Sequence, residues 1–192
     1  MSFIGDFNLP FQQTTRTYKI LLLGDDGVGK SSYAHKIQNG EFRTEIGSYD
    51  RSFTWPILTC GKKVTASITF LDCYPGSLAS TQKDRISIFN EADALILMFD
   101  LNNVESFRNL PNWFNMFVEQ NPRAPIVFVG NKCDLGQQQV GNDNKLALIE
   151  ATQKRYEYYD LSVKSNHNFE KPILEILREL NLDPSLRLLE SF

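Results

Sequence analysis

The stretch Gly24-Asp25-Asp26-Gly27-Val28-Gly29-Lys30-Ser31 decides the fold, because it fits the phosphate-binding pattern G-x-x-x-x-G-K-[ST]. The apolar run at residues 18–23 precedes it and predicts a buried strand. Residues 31–38 follow it and predict a helix that ends at Asn39-Gly40. Such a turn aims backbone N–H groups and the positive end of the helix dipole at one point. The alternative, an accidental glycine-rich turn, is disfavoured by the strand and the helix on either side.

The residues of this loop predict how a polyphosphate is held. Lys30 would reach the outer phosphates, and the Ser31 hydroxyl would bind Mg²⁺. The residues expected to contact the phosphates are Asp26, Gly27, Val28, Gly29, Lys30, Ser31 and Ser32.

A second motif predicts which base the nucleotide carries. Residues 126–129 form another apolar run, which predicts a buried strand that leads into Asn131-Lys132-Cys133-Asp134. The Asp134 carboxylate can accept hydrogen bonds from guanine N1–H and from the N2 amino group, a donor pair that adenine lacks. Asn131 can bond the base and brace the phosphate loop, while the Lys132 side chain lies across the ring. The motif therefore favours guanine and disfavours an adenine-specific kinase or ATPase.

Two further segments complete the predicted site. Ser162-Val163-Lys164 follows the predicted strand at 158–161, and there a backbone N–H would meet guanine O6. Asp72 ends the alternating run at residues 64–71, which is the expected place for a carboxylate that supports Mg²⁺. An ordinary aspartate at the end of a strand is the alternative for Asp72, and the phosphate loop favours the magnesium role.

These motifs, in this order, resemble those of the Ras superfamily of small GTPases. The second half resembles the Ran branch in Leu110-Pro111-Asn112-Trp113, in residues 158–172 and in Asp183-Pro184-Ser185-Leu186. The likeness covers residues 16–188 and is weaker between residues 41 and 91. Gly40-Glu41-Phe42 is also similar, which implies that Phe42 packs against the edge of guanine. A core aromatic beside a helix is the alternative for Phe42.

Strands alternate with helices along the chain, which indicates an α/β fold of three layers with a mostly parallel sheet. The resemblance implies the P-loop small-GTPase form of this fold, with six strands. Residues 53–58 and 64–71 are expected to form one antiparallel edge hairpin, since Pro56 suits an edge strand. The pattern predicts helices at residues 31–39, 105–119, 143–155 and 168–180.

The chain is expected to hold one GTP-binding domain. This domain would span residues 17–182, between a flexible N-terminal segment at 1–16 and a C-terminal extension at 183–192. A chain of 192 residues is long enough to bury one good core.

Composition narrows the class of partner. The net charge of −3 gives no indication of nucleic-acid binding. The three cysteines, Cys60, Cys73 and Cys133, have no metal or disulfide spacing, which suits a reducing compartment. The sequence shows no signal peptide, no apolar run of membrane-spanning length and no prenylation motif. We therefore expect a soluble protein without a membrane anchor, in the nucleus, the cytoplasm or both.

The resemblance also implies cofactors and partners. The cofactors would be GTP or GDP with Mg²⁺, and the protein partners would be transport receptors or an exchange factor. Ran carries a basic stretch after its guanine motif, whereas residues 136–144 of this chain contain no lysine or arginine. The surface that contacts such partners is therefore expected to differ.

The two switch segments depart from the family pattern. Counted from Phe42, Tyr49 stands where the family has the threonine that senses the γ-phosphate, and a four-residue shift would instead bring in Thr44. The second switch reads Asp72-Cys73-Tyr74-Pro75-Gly76-Ser77 where the family has Asp-x-x-Gly-Gln. The proline has no N–H to donate, and the water-orienting glutamine is replaced by the serine or displaced. Asp26 would in addition repel a γ-phosphate.

These departures leave two functions open. The first is a Ran-like small GTPase that acts through protein partners and hydrolyses GTP weakly or not at all. The second is a pseudo-GTPase, an interaction or structural subunit whose guanine nucleotide stays bound permanently. Tyr49 and Pro75 decide between them, because they remove the contacts through which a γ-phosphate acts. No residue is assigned as catalytic.

Overall fold

Strands and helices alternate along the part of the chain that the computed structural model describes, which is residues 15–45, 52–72, 82–136, 138–151 and 156–189. Its strands are β1 (Thr15–Leu23), β2 (Ser52–Thr59), β3 (Lys62–Asp72), β4 (Ala94–Asp100), β5 (Ile126–Asn131), β6 (Glu157–Asp160) and β7 (Arg187–Leu188). Its helices are α1 (Lys30–Asn39), α2 (Gln82–Glu91), α3 (Val104–Arg108), α4 (Leu110–Val118), α5 (Asn142–Ala151) and α6 (Lys171–Asn181).

The strands form one sheet in the order β6-β5-β4-β1-β3-β2-β7. β1 pairs in parallel with β3 and with β4, and β5 continues the parallel arrangement to β6. Parallel neighbours end at the same edge of a sheet, so β1, β3, β4, β5 and β6 all have their carboxyl ends there. The predicted α/β fold with a mostly parallel sheet is confirmed.

The side chains of the central strands point alternately to two cores, one on each face of the sheet. On β1, Ile20 and Leu22 lie in the first core, while Leu21 and Leu23 lie in the second. Helices α1 and α6 cover the first core, and α2 and α4 cover the second. Because both faces are covered, the central strands are continuous apolar runs. This arrangement gives the three layers that the sequence predicts.

Within the described ranges the sheet has seven strands, where six were expected. The additional strand, β7, pairs antiparallel with β2, and Leu188 lies opposite Ile57. The predicted hairpin of β2 and β3 is present and antiparallel, but β7 lies outside it, so the hairpin does not form the whole edge. A strand of two residues is too short to leave a signal in the sequence.

Asp183 joins the segment before β7 to the turn between β2 and β3. Its carboxylate accepts hydrogen bonds from the Thr59 hydroxyl at 2.9 Å and from the Cys60 backbone N–H at 2.6 Å. Hydrogen bonds from the Ser185 hydroxyl, the Cys60 amide and the Thr59 hydroxyl hold the pKa of this carboxyl well below its usual range. The bonds therefore stabilise the fold near neutral pH, and acid that protonates Asp183 weakens them.

The prediction of one continuous helix at 105–119 is wrong. The structure contains two helices there, with Asn109 between α3 and α4. Pro111 explains the break, because it has no N–H to donate to the carbonyl of the preceding turn and its ring crowds that carbonyl.

The other predicted helices lie at the right places with shifted ends. The predictions at 31–39, 143–155 and 168–180 correspond to α1, α5 and α6, and residues 152–155 lie outside the described part. Helix α2 was missed. It contains only three apolar residues among ten, Ile86, Ile88 and Phe89, which is too few for a helical periodicity to be recognised.

The limits proposed for the domain remain predictions. Strand β1 begins at Thr15, and β7 lies within residues 183–192. Within the described ranges, no helix combines the length and the apolar character that crossing a membrane requires.

Candidate functional site

The predicted phosphate loop connects the carboxyl end of β1 to the first turn of α1. Gly24 and Gly29 have φ angles of 138° and 106°, which residues with side chains rarely adopt. Gly29 is the N-cap of α1, and its carbonyl accepts the Tyr33 N–H at 2.9 Å. The loop therefore ends at a helix N-terminus, where backbone N–H groups and the helix dipole favour an anion.

Lys30 is held inside this loop. Its side chain is 5% exposed, and Nζ donates to the carbonyls of Gly24 at 2.9 Å and Asp25 at 2.8 Å. These bonds partly compensate for the loss of water around the ammonium. The positive charge that an outer phosphate requires is therefore fixed beside the loop.

Asn131 joins the phosphate loop to the predicted base-reading segments. It is the last residue of β5, and its side chain is almost completely buried. Nδ2 donates to the Val28 carbonyl at 2.8 Å, and Oδ1 accepts the Val163 backbone N–H at 3.2 Å. A Cβ added to Gly29 would lie 2.2 Å from Nδ2, so this glycine gives the amide its space. One side chain thus connects segments from three parts of the chain.

Asp134 is exposed and is oriented by a buried serine. The Ser162 hydroxyl donates to Asp134 Oδ1 at 2.6 Å and accepts the Ser165 backbone N–H at 2.9 Å. Ser162 is fully buried, so it sets the direction of the carboxylate. A carboxylate offers about four acceptor positions, which leaves capacity for an N1–H and N2–H pair.

Lys132 is positioned by a carboxylate that the sequence analysis missed. Its Nζ lies 2.7 Å from Asp100 Oδ2, and the Asp100 side chain is mostly buried. Asp100 ends β4, and its backbone pairs with Asn131 of β5. The only available signal was the general rule that polar residues at neighbouring strand ends meet at one edge of a parallel sheet.

Asp25 has a contact that the sequence analysis did not anticipate either. Its carboxylate accepts hydrogen bonds from Asn109 Nδ2 at 2.7 Å and from Trp113 Nε1 at 2.8 Å. These donors lie at the break between α3 and α4, so the phosphate loop is attached to that break. No local pattern in the sequence connects these positions.

A cavity of about 360 Å³ lies between the phosphate loop and the segments that follow β5 and β6. It brings together most of the predicted phosphate and guanine residues and adds Thr44 and Leu135. Its lining is Gly27, Gly29, Ser32, Phe42, Thr44, Asn131, Lys132, Asp134, Leu135, Val163 and Lys164.

The remaining predicted residues lie around this lining. Asp26 is exposed on the phosphate loop, and Ser31 is half-buried in the first turn of α1. Val28 is buried in the first core and offers its carbonyl to Asn131. Ser162 lies behind Asp134.

Asp72 is the last residue of β3, and its backbone is in register with Leu22 of β1. It therefore lies at the sheet edge from which the phosphate loop leaves. Its side chain is outside the described part, and so are Tyr49 and residues 73–77. The magnesium role of Asp72 and the altered switches remain predictions.

The thiol inside the guanine motif is held in its protonated form at neutral pH. Burial raises the pKa of Cys133, and the carboxylates of Asp160 and Asp134 raise it further. The thiol therefore stays neutral, and no thiolate repels the carboxylate of Asp134.

The family model described as the Ras family matches residues 19–182. The match includes the phosphate loop, Asp72 and the residues that line the cavity.

Proposed function

The chain belongs to the Ras family of small GTPases, and from this premise we propose that it is a Ran-like member that acts through protein partners. Its ligand is GTP or GDP with Mg²⁺, bound in the cavity described above. The observation that carries the proposal is the position of Asn131, which bonds the phosphate loop and the Val163 amide while Asp134 lines the same cavity.

Guanine is recognised by residues from two loops. Asp134 accepts from N1–H and the N2 amino group, and the Lys132 side chain, held by Asp100, covers the ring. A backbone N–H of residues 162–164 meets O6. Phe42, which also lines the cavity, packs against the edge of the base.

The phosphates are bound by the loop amides of residues 26–32, with Lys30 at the outer phosphates. The Ser31 hydroxyl binds Mg²⁺, supported by Asp72 at the end of β3. The ion neutralises charge between the outer phosphates when it is bound.

The switches are degenerate in this proposal, so GTP is hydrolysed weakly or not at all. Tyr49 cannot place a short hydroxyl on the ion, and Pro75 has no N–H for a γ-phosphate. Ser77 does not replace a glutamine that orients water. Transport receptors or an exchange factor, and a nuclear or cytoplasmic location, follow from the Ran resemblance alone.

We expect protein purified without added nucleotide to release GDP or GTP, and no ATP, when it is denatured. The reason is the Asp134 carboxylate, which repels the N1 lone pair of adenine and finds no N1–H there. Chromatography of the released nucleotide, followed by competition between GTP and ATP, measures this. Equal retention of the two nucleotides would contradict the guanine assignment.

A pseudo-GTPase with a permanently bound nucleotide is the second candidate, and Tyr49 together with Pro75 favours it. A ligand shifts a conformational equilibrium only through its differential contacts with the two states. With both γ-phosphate contacts absent, we expect a GTP analogue and GDP to give equal hydrogen exchange over residues 41–50 and 73–85. Strong protection by the analogue alone would show that Thr44 or Gly76 has taken over the contact, and it would exclude the static subunit.

A further inference from the structure

A buried lysine lies behind residues 162–165, which we call the base-reading loop, and outside the lining of the cavity. Lys36 is in the last turn of α1, and its side chain is 4% exposed. Its Nζ donates to the Val163 carbonyl at 2.6 Å and to the Lys164 carbonyl at 3.3 Å. The same ammonium lies 5.3 Å from the centre of the Phe169 ring.

This is an unfavourable place for an ammonium. Burial lowers the pKa of Lys36, because the charged form loses water. Across the described residues, no carboxylate lies within ion-pair distance of Nζ. An apolar side chain of similar size would avoid the cost of desolvation. Packing alone therefore does not account for a lysine at this position.

We propose that Lys36 is a positioning residue for guanine, which it serves by fixing the two peptide groups that follow Val163 and Lys164. This inference rests on the proposed function. In a trans peptide the C=O and the N–H point in opposite directions, and no cis peptide occurs in the described chain. By holding the Val163 carbonyl, Lys36 turns the Lys164 N–H away from α1, toward the cavity that both residues line.

The hydrogen bonds of this loop support that assignment. The N–H groups of Ser162, Val163 and Ser165 are bonded to the His167 carbonyl, the Asn131 side chain and the Ser162 hydroxyl. The Lys164 N–H, by contrast, has no partner among the described residues. It is therefore the amide of this segment that is available for guanine O6.

The second carbonyl held by Lys36 is linked to Asp134, the residue proposed to bind N1–H and the N2 amino group. The Lys164 carbonyl belongs to the same peptide as the Ser165 N–H, which donates to the Ser162 hydroxyl at 2.9 Å. That hydroxyl donates to Asp134 at 2.6 Å. Lys36 thus reaches both the O6 donor and the N1 and N2 acceptor.

The test compares GDP with 6-thioguanosine diphosphate, which keeps N1–H and the N2 amino group and carries sulfur, a weaker acceptor, in place of O6. In Lys36→Met the affinity for GDP should fall about five- to tenfold, which corresponds to one weakened hydrogen bond. The affinity for the analogue should fall by a smaller factor, about two- to threefold, because its sulfur accepts only a weak hydrogen bond from the Lys164 N–H. Lys36→Arg should restore the GDP preference, since a guanidinium can donate to both carbonyls.

Tyr33→Phe is a matched control on the same helix. Its buried hydroxyl donates to the Phe169 carbonyl at 3.1 Å, away from the carbonyls of the base-reading loop. Its removal should therefore affect the two nucleotides equally. If Lys36→Met does not fold, Lys36→Gln gives the same comparison, with one amide donor in place of the ammonium.

Selective loss of GDP binding in the Lys36 variants supports the positioning role. Equal loss of both nucleotides, or an unchanged preference for GDP, overturns it while wild-type protein still prefers GDP to ATP. A wild-type protein without that preference contradicts the proposed function itself, so the two failures are distinguishable.

Discussion

Asp134→Ala should lower the affinity for GDP by about 10²–10⁴-fold, since each of two hydrogen bonds to a charged acceptor contributes roughly 1.5–3 kcal/mol. The carboxylate is exposed to the cavity and oriented by the buried Ser162. Its removal takes away both the bonds to the base and the discrimination against adenine. Displacement of a fluorescent GDP measures the change. Retention of GDP within about tenfold would show that Asp134 does not read the base.

Asp134→Asn is the matched variant for this prediction. Its amide oxygen can still accept from Ser162, so the loop keeps its internal bond. The amide nitrogen donates where the carboxylate accepted, which suits the C2 carbonyl of xanthine and not the amino group of guanine. We expect this variant to lose GDP and to gain affinity for xanthosine diphosphate. If the folded variant shows no gain in affinity for xanthosine diphosphate, residue 134 does not directly contact the substituent at C2.

Single-turnover hydrolysis of GTP should be slow, and an activator that supplies an arginine should not accelerate it. In intact relatives such an arginine contributes about 10³–10⁵ in rate, and it works together with the water-orienting glutamine. Here Pro75 and Ser77 are predicted to replace the glycine and the glutamine, and Asp26 is exposed on the phosphate loop. Rapid-quench measurement of phosphate release, with and without a Ran-type activator, tests this.

Asp26→Gly is the control that distinguishes a defective second switch from obstruction of the arginine by Asp26. If the switch is defective, this variant stays slow, because removing the carboxylate does not restore the glycine amide or the glutamine. A variant that becomes responsive to the activator would show that Asp26 alone blocks the arginine. A wild-type rate equal to that of an ordinary relative would show that the second switch has been read in the wrong register.

The phosphate loop and the guanine motif could be predicted from the sequence because their residues are adjacent in the chain. Their chemistry depends on a local turn after a buried strand, and both parts have recognisable patterns. The same holds for the hairpin of β2 and β3, where Pro56 and the alternating residues act locally. Local sequence patterns were therefore sufficient to predict the fold class and most of the residues that line the cavity.

The parts that could not be predicted depend on contacts between distant segments. Asp100 meets Lys132 only because β4 and β5 are neighbours in the sheet. Lys36 meets Val163 across 127 positions of sequence, and neither residue has a pattern that points to the other. The pairing of β7 with β2 involves two residues of each strand, and Asp183 bonds the nearby turn between β2 and β3. Secondary-structure propensity and hydrophobic periodicity do not indicate which distant residues come into contact.

The contact between Gly29 and Asn131 predicts that substitutions at these two positions are epistatic, which would restrict the order in which this site could change during evolution. A side chain at residue 29 meets both an unfavourable φ and the Asn131 amide, 2.2 Å from its Cβ. A smaller residue at 131 would open that space but would leave the Val28 carbonyl and the Val163 N–H without this partner. Neither position can be replaced first without cost, so a route away from this pair passes through an impaired intermediate.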